Sequence, residues 1–360
     1  MKIYNAAIIG LGPSGLAVNK LIYDNKDKEI IAFENTNIDN RNNFFGFWLT
    51  DWMKPFEKLI EKKWNKWVIS KSNLEIIHSD KKHPYCVISF KKWKNYCLNT
   101  KNNLKIINET VTEYCATENY YKIITNNNKQ YFARKIYDSR NNKQRKHEFI
   151  QHFYGINITT TNSEFNEDKV KLMHFIEEKN LLHFIYLLPF NKNKALVEST
   201  VFSRNVLNEK WYRDKIYKYL ENLNIRKFRE GSEEKGIIPM FFSQEKPSND
   251  PNIYNIGIRG GACKPSTGYA FSFLIKQIQL IKKSSNNQPK VHNLIERKMD
   301  KIFLNYLKNN NENGTSFIKL AENLNGTEFQ SFMMGNSSFF TKIKIIKSMP
   351  KLPFIKAIFN

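Results

Sequence analysis

The chain has few cysteines and no long apolar segment. Its 360 residues contain four cysteines, and no two of them have the C-x-x-C spacing of redox or zinc motifs. They predict reduced thiols in a cytosolic protein, and no cluster of side chains has metal-ligand spacing, so we expect no metal. No apolar run reaches about 18 residues, so we predict no transmembrane helix. The N-terminus leads directly into an apolar strand, and we expect no cleavable signal.

Acidic side chains are scarce relative to basic ones. The 34 Asp and Glu against 57 Lys and Arg give a formal net charge of +23. Basic and aromatic residues alternate in 57–67 and 89–96, but no part of the chain resembles a nucleic-acid-binding module, so we expect no nucleic-acid partner. Two interpretations remain open. One is attraction to an anionic membrane, at up to about 1 kcal/mol per basic residue near the surface. The other is a general abundance of Lys and Asn, typical of an AT-rich genome.

A glycine-rich turn follows the short apolar strand at residues 3–9. Gly10, Gly12 and Gly15 give the pattern G-x-G-x-x-G, and Ser14 begins a helix predicted to end near residue 24. In such a turn the first glycine allows the bend, the second lets the backbone approach a pyrophosphate, and the third allows close helix–strand packing. The N-terminus of the helix then faces the phosphates. The alternative is an ordinary strand–turn–helix unit whose glycines serve packing alone.

Glu34 ends the second apolar strand, where an acid is expected to bind a ribose hydroxyl. An acid at this position disfavours the 2′-phosphate of NADP. A second glycine-rich segment lies far along the chain, at residues 256–271, and Ser266 is expected to cap a helix that ends near Lys283. A dinucleotide site built from both segments favours a tightly held FAD over a transient NAD. The candidate cofactor residues in the second segment are Gly260, Gly261, Thr267 and Gly268.

The arrangement of predicted elements indicates an α/β fold with an inserted domain. We predict a discontinuous, Rossmann-like FAD-binding domain formed by residues 1–45, 100–150 and 245–285. Residues 46–99 and 151–244 form an inserted, mainly antiparallel β domain that binds the substrate. Residues 286–360 form a helical C-terminal segment.

Motifs along nearly the whole chain resemble those of the flavin-dependent lycopene cyclases, which have the FAD monooxygenase-like fold. In chain order they are IIGLGPSGLA, FFGFW, YDSR, QHFYG, LMHF, YLLPFNKNKALVEST, EKGIIPM and GGACKPSTGYAF. The first is common among flavoproteins, whereas the combination is much more specific. Two positions depart from the family. An acid usually stands where His174 is found, and the aromatic cluster at residues 44–48 is looser than usual.

The resemblance implies a redox-neutral isomerisation of linear lycopene. Protonation of the terminal double bond gives a carbocation, a six-membered ring closes, and a proton is lost. The expected enzyme is a lycopene β-cyclase that forms γ- and β-carotene. Family members require reduced FAD, which is proposed to stabilise the cation, and NAD(P)H is the expected reductant. The ring type, the number of rings and the oligomeric state stay open.

Glu198 is the candidate general acid, because its family counterpart has this role and an apolar strand would keep its carboxyl group neutral. A structural glutamate bonded to backbone or to arginine is the alternative. Asp138 and Arg140 either contact the flavin or form a local ion pair. His152 and His174 are expected to be structural. Four aromatic residues either line a polyene channel or belong to the core; they are Trp48, Trp64, Trp67 and Tyr269.

The basic, apolar tail at residues 339–360 would either lie on a membrane surface or pack on the core. With the apolar substrate, the first alternative predicts peripheral attachment to the inner face of the plasma membrane. Two other functions compete with cyclisation. One is an FAD-dependent reductase or hydroxylase acting on another isoprenoid. The other is a non-catalytic flavin- or carotenoid-binding protein.

Overall fold

The computed structural model describes residues 1–25, 27–36, 38, 41–140, 149–240, 248–284, 289–310 and 312–359. The strands are, in chain order, β1 Ile3–Tyr4, β2 Ala6–Ile9, β3 Glu29–Phe33, β4 Phe44–Trp48, β5 Lys62–Trp64, β6 Lys66–Lys71, β7 Leu74–Ser79, β8 Tyr85–Ser89, β9 Asn103–Ile107, β10 Val111–Ala116, β11 Tyr121–Thr125, β12 Gln130–Ala133, β13 Ile136–Asp138, β14 Ile150–Thr160, β15 Lys169–Glu178, β16 Leu181–Asn191, β17 Lys194–Ser203, β18 Phe228–Pro239 and β19 Ile253–Asn255.

The α-helices are α1 Pro13–Tyr23, α2 Phe90–Leu98, α3 Glu209–Asn222, α4 Phe271–Lys283, α5 Leu294–Asn309, α6 Thr315–Asn323, α7 Gly326–Met333, α8 Phe339–Ser348 and α9 Lys351–Phe359, and a 3₁₀ helix covers Lys54–Leu59. The last five helices follow one another directly, which confirms the predicted helical C-terminus.

A five-stranded parallel sheet, in the order β19-β13-β2-β3-β9, forms the Rossmann-like part. Every residue of the central strand β2 is buried, as expected for a parallel sheet covered on both faces. Helix α1 packs against α2 and α4. The strands come from three separate parts of the chain, all within the segments predicted for the FAD-binding domain. The predicted boundaries near residues 245 and 285 lie outside the described residues.

A seven-stranded sheet, in the order β18-β14-β17-β16-β15-β6-β7, forms the second layer. Its pairs are antiparallel except for β15 with β6. One face packs on α3 through side chains such as Ile156, Val197 and Ile216. The other face includes Leu196 and Phe184 and packs toward the C-terminal helices. The predicted fold class, an α/β protein with an inserted and mainly antiparallel β part, is confirmed.

One helix start differs from the prediction. Helix α4 begins at Phe271 rather than near Ser266. The Ser266 hydroxyl donates to Asp300 at 2.5 Å and therefore does not cap the helix. Gly268 has φ +69°, a left-handed conformation that a right-handed helix cannot pass through. The segment before α4 is therefore a turn, held to α5 by a buried ion pair of 2.6 Å between Lys264 and Asp300.

Candidate active site and cofactor cleft

The three glycines of the first turn have different surroundings. Gly10 has φ +91°, which favours glycine at this bend. A Cβ on Gly15 would lie 2.0 Å from the Gly10 carbonyl oxygen, so this glycine allows the helix to approach the strand. A Cβ on Gly12 would have no neighbour within 4 Å. The open space at Gly12, beside the N-terminus of α1, fits the approach of a phosphate group.

The Glu34 carboxylate lies beside this turn at the end of β3. Its Oε2 accepts from the Leu11 N–H at 2.9 Å and forms an ion pair with Arg41 at 3.0 Å. Its Oε1 accepts from the hydroxyl of Thr36 at 2.9 Å. Burial opposes ionisation, but Arg41 and these hydrogen bonds hold the pKa of Glu34 below its usual value. The carboxylate is ionised, and a ribose hydroxyl would replace one of these donors.

Asp138 and Arg140 form the local ion pair that was one of the two sequence-based alternatives. The guanidinium contacts the carboxylate at 2.6 Å and also donates to the Val111 carbonyl at 2.9 Å. Asp138 is fully buried at the end of β13, and Arg259 from the second glycine-rich segment lies 3.5 Å away. Through Arg259, Asp138 therefore connects the end of the parallel sheet with the second glycine-rich segment. A contact of Asp138 or Arg140 with flavin stays a prediction.

Glycines of the second segment also differ in what they allow. A Cβ on Gly260 would lie 2.1 Å from the Asn255 carbonyl oxygen, so Gly260 is needed for packing of the loop. Gly261 has φ +72° and open space beside it. A Cβ on Gly268 would lie 1.9 Å from Gln151 Oε1. Gly261 is thus the position in this segment where a ligand has room, and binding by Thr267 and Gly268 stays a prediction.

A cavity of about 350 Å³, here called the central cavity, lies between the seven-stranded sheet and both glycine-rich segments. Pro13 and Ile258 line its end beside the two glycine-rich segments, which are together called the cofactor cleft here. Glu198 lies on the sheet side of the cavity. Most of its other lining is apolar or aromatic; examples are Phe44, Trp48, Phe153, Leu172, Phe184, Tyr269 and Phe329. The cavity can therefore hold an apolar ligand with one end beside a carboxyl group.

Glu198 is buried, with 7% of its surface exposed. Its Oε1 accepts a hydrogen bond of 2.5 Å from the Thr200 hydroxyl. Burial raises the pKa of Glu198 to about 7, against hydrogen bonds from Thr200 and Glu234 that lower it. About half of the Glu198 carboxyl groups therefore hold a proton at neutral pH and most do so below it, as a general acid must.

Glu234 is a site residue that the sequence analysis did not single out, although it belongs to the EKGIIPM motif. It is buried, and its Oε2 accepts from the Phe44 N–H at 2.8 Å. Burial and then the charge of Glu198 raise the pKa of Glu234 well above its usual value. Glu234, Gly155, Glu198 and Tyr186 form one row across four neighbouring strands. The signal in the sequence was an acid beside the apolar run GIIPM, at an inward-facing strand position.

Two of the four aromatic candidates line the central cavity. They are Trp48 and Tyr269, whose hydroxyl accepts from the Trp48 N–H of the backbone at 3.1 Å. Trp64 and Trp67 are not among the residues that line the central cavity and lie in the hydrophobic core, which was the other sequence-based alternative for them. Trp67 packs edge-to-face against Trp48 at 5.6 Å, which places it behind the cavity wall. Trp64 lies on the outer strand β5 of the three-stranded sheet β4-β8-β5.

The histidines lie away from the acid. Met173 lines the central cavity, whereas His174 packs against Tyr219 of α3 on the opposite face of the sheet, with ring centres 5.4 Å apart. Burial, with Lys171 nearby, lowers the pKa of His174 to about 4. His152 is bonded at both nitrogens, to Ser203 at 2.8 Å and Tyr212 at 2.5 Å. Both have structural positions, and His174 cannot reach the substrate face of the sheet.

A second cavity of about 410 Å³, here called the C-terminal cavity, lies among α5, α6, α7, α8 and α9. It shares four lining residues with the central cavity, namely Met173, Thr267, Phe329 and Met333. Its lining is almost entirely apolar. The two cavities are therefore adjacent, and their mainly apolar walls, here called the apolar path, extend from Glu198 to the C-terminal helices.

Within the described parts of the chain, no three His, Cys, Asp or Glu side chains come together as metal ligands would. In the same residues, no helix combines the length and apolar character that a membrane span requires. The four cysteines (Cys86, Cys97, Cys115 and Cys263) are free thiols, and all but Cys115 are buried.

Solved structures share this architecture. A geranylgeranyl bacteriochlorophyll reductase-like protein from Thermoplasma acidophilum superposes with a TM-score of 0.61 at 12% identity, over 99% of this chain and 96% of that one. The p-nitrophenol 4-monooxygenase PnpA of Pseudomonas putida gives 0.58 at 11% identity, over 99% and 98%. The halogenase PltM, solved with phloroglucinol and FAD, gives 0.57 at 9% identity, over 92% and 82%. At these identities the likeness shows the fold, that of the FAD-dependent monooxygenases.

Two sequence relatives act in plants. The chloroplastic neoxanthin synthase of Solanum tuberosum is 25% identical over 290 residues, and the chromoplastic capsanthin/capsorubin synthase of Citrus sinensis is 24% identical over 294. Each alignment covers 74% of this chain and 57% of the relative, so the chain spans little more than half the length of these proteins. The family model described as lycopene cyclase protein matches residues 5–358. With Glu198 beside an apolar path and the match extending over nearly all residues, the chain belongs to the lycopene cyclase family.

Proposed function

We propose that the protein is a lycopene cyclase that closes β-ionone rings at the ends of linear lycopene. The observation that carries this proposal is the position of Glu198, a buried carboxyl group with a raised pKa in the wall of an apolar cavity that adjoins a second one. A linear hydrocarbon has no polar group to bind, so its binding depends on apolar area and shape. The path supplies both, and Glu198 is the proton donor on its sheet side.

The reaction follows from the groups around the central cavity. Glu198 gives its proton to the terminal double bond, where a C–H bond forms as the O–H bond breaks. The apolar lining excludes water, which would otherwise capture the cation. Trp48 and Tyr269 present aromatic rings that can stabilise positive charge through their faces. After ring closure the Glu198 carboxylate accepts the proton that the ring loses, so the reaction is redox-neutral.

We propose FAD as the cofactor of the cleft. The open positions at Gly12 and Gly261 and the N-terminus of α1 would hold its phosphates, with Glu34 near the ribose. Pro13, Ile258 and Thr267 would place the flavin at the edge of the central cavity. Bound in reduced form, with NAD(P)H as the proposed reductant, FAD would supply negative charge that stabilises the cation.

We also propose that the protein binds to the inner face of the plasma membrane through α8 and α9. Side chains on these helices that are more than half exposed include Phe339, Phe340, Ile346 and Leu352. Exposed lysines lie among them, namely Lys344, Lys347, Lys351 and Lys356. An apolar surface bordered by lysines is typical of attachment to anionic lipid. Because α8 and α9 also line the C-terminal cavity, a membrane-bound polyene would enter there.

The direct test is expression in a bacterial strain that accumulates lycopene, followed by chromatography of the pigments. The wild-type chain and a Glu233→Gln control should give γ- or β-carotene, whereas Glu198→Gln should leave lycopene unchanged. Glu233 is a matched control because it is also a glutamate of the seven-stranded sheet, next to Glu234, but its side chain is exposed. Unchanged lycopene from soluble, flavin-loaded wild-type protein would refute cyclisation. Consumption of NAD(P)H or oxygen in proportion to product would instead indicate a reductase or hydroxylase, and bound but unaltered pigment a carotenoid-binding protein.

A further inference from the structure

Glu198 and Glu234 belong to different strands and meet because of a glycine between them. Both pair with Gly155 of β14, Glu198 from β17 on one side and Glu234 from β18 on the other. Residues paired in this way share one face of the sheet. A Cβ on Gly155 would lie 3.1 Å from Cγ of Glu234 and 3.3 Å from Cβ of Glu198. The missing side chain leaves room for the two carboxyl groups to hydrogen bond with each other.

The backbone fixes which oxygen of Glu234 can hold a proton. The Phe44 N–H donates to Oε2 at 2.8 Å, so this oxygen is an acceptor and a proton belongs on Oε1. Two ionised carboxylates in contact would repel strongly in an apolar site, so the pair retains a proton. Burial and the charge of Glu198 raise the pKa of Glu234 well above its usual value, which makes Glu234 the group that keeps it.

The groups that face the pair are neutral. The hydroxyl of Tyr186 on β16 and that of Tyr85 on β8 of the three-stranded sheet bond each other at 2.9 Å. Burial raises the pKa of both phenols, and the Thr200 hydroxyl donates to Glu198. Burial, the neighbouring carboxyl group and hydrogen bonds are the causes of the pKa shifts of Glu198 and Glu234. Hydrogen bonds from Thr200 and Glu234 are therefore the contacts of this pair that can stabilise the charge that forms on Glu198.

Resting on the proposed cyclisation, we propose that Glu234 is a positioning residue that stays protonated throughout the cycle and donates a hydrogen bond to Glu198. This bond stabilises the carboxylate that Glu198 becomes when its proton forms the new C–H bond of the polyene. When the ring loses a proton, Glu198 accepts it. The pair then again carries two protons, and no electron is gained or lost.

The test compares Glu234→Gln with Glu234→Leu, using lycopene-containing vesicles and reduced flavin across a range of pH. Glutamine imitates a protonated glutamate here, because its carbonyl oxygen can accept from Phe44 while its amide donates to Glu198. We expect the cyclisation rate of Glu234→Gln to stay within about threefold of wild type, whereas the rate of Glu234→Leu should fall about a hundredfold. Loss of the donor also raises the pKa of Glu198, so the alkaline limb of the leucine variant should move to higher pH. Glu233→Gln should change neither the cyclisation rate nor the pH of the alkaline limb.

Equal inactivity of the glutamine and leucine variants would overturn the proposal, because Glu234 would then have to give up a proton itself. A leucine variant with wild-type rate and alkaline limb would overturn it as well. Infrared difference spectroscopy tests the pair without catalysis. Wild type should keep the stretching band of a protonated carboxyl group at alkaline pH, and Glu234→Gln should lose it. If no variant cyclises lycopene, the proposed function fails, but an absent band in wild type is what refutes the protonated Glu234.

Discussion

Adjacent glutamates on β18 show how the environment of a single residue determines its chemistry. Glu233 is exposed and forms an ion pair with Arg213, whereas Glu234 is buried and faces Glu198. Side chains alternate between the faces of a strand, so one position separates a solvated carboxylate from a neutral acid. The same alternation places Met173 in the cavity and His174 behind the sheet. His174, which stands where the family usually has an acid, therefore does not face the central cavity.

Gly155→Ala should impair catalysis as well as folding. The added methyl group would push the two carboxyl groups apart by a few tenths of an ångström, and errors of position approaching 1 Å cost about a hundredfold in rate. Overpacking at a buried site costs about 1–3 kcal/mol of unfolding free energy. Initial rates and urea unfolding measure the two effects.

Gly231→Ala is the matched control for this substitution. Gly231 lies on β18 and is exposed, and a Cβ there would meet its nearest neighbour at an ordinary 3.4 Å. Wild-type turnover by Gly155→Ala, with the control also active, would show that the spacing of the two carboxyl groups does not matter.

At the scale of elements, α8 and α9 have two apolar faces. Ile345, Met349 and Ala357 are buried against the core, while Phe340, Leu352 and other side chains face outward. Core packing and membrane attachment were alternatives for this tail, and the structure shows packing together with a large unburied apolar surface. Exposed apolar side chains in such number on two successive helices agree with the membrane attachment proposed above. Since the helices also border the C-terminal cavity, they connect that surface with the path to Glu198.

The double substitution Phe340→Ser and Leu352→Ser should weaken attachment to anionic vesicles at least tenfold, since each large apolar side chain contributes about 1.5–3 kcal/mol when it leaves water. Both side chains are about three-quarters exposed, at 77% and 74%, so the melting temperature should stay unchanged. Vesicle co-sedimentation at low and high salt gives the affinity.

Ile77→Ser is the control, because Ile77 is 52% exposed on β7, outside the tail. Equal sedimentation of the double variant and wild type would argue against attachment through α8 and α9.

At the scale of the whole molecule, the cofactor cleft joins parts of the chain that are far apart in sequence. The turn at Gly12 precedes α1, and the segment with Gly261 precedes α4, yet α1 packs directly on α4. The seven-stranded sheet then covers the cleft and forms one wall of the central cavity. A ligand that binds both glycine-rich segments should therefore raise the free energy of unfolding of the whole molecule.

Removal of FAD should lower the melting temperature, because a ligand at a hundred times its dissociation constant adds about 2.7 kcal/mol of stability. Gly12→Val should bind no flavin and melt like the flavin-free wild type, since its side chain enters open space. Gly15→Ala should be less stable even without flavin, because its Cβ would lie 2.0 Å from a carbonyl oxygen. Flavin absorbance measures cofactor binding, and thermal melts with and without flavin measure the stability of each protein. A flavin-loaded Gly12→Val protein would contradict the proposed site.

Local patterns in the sequence determined several elements and the first half of the cofactor cleft. Helix α2, Phe90–Leu98, is encoded locally, because its cap Ser89 and its buried residues lie within a few positions of one another. The glycine turn could be predicted for the same reason, since Gly10 is required by its own backbone angle and Gly15 by its close approach to Gly10 and Ile8. Glu198 was identified through its motif, and its burial follows from the apolar strand around it.

Contacts between distant segments decided the rest. Ser266 bonds to Asp300 rather than capping α4, and Trp67 lies behind Trp48; neither contact can be inferred from local sequence. Glu234 was missed because it meets Glu198 only when β18 and β17 pair on opposite sides of β14. The sequence by itself determined which residues could carry the chemistry. The tertiary structure decided which of them meet, because strand pairing and burial set the distances between carboxyl groups and the pKa values that follow from them.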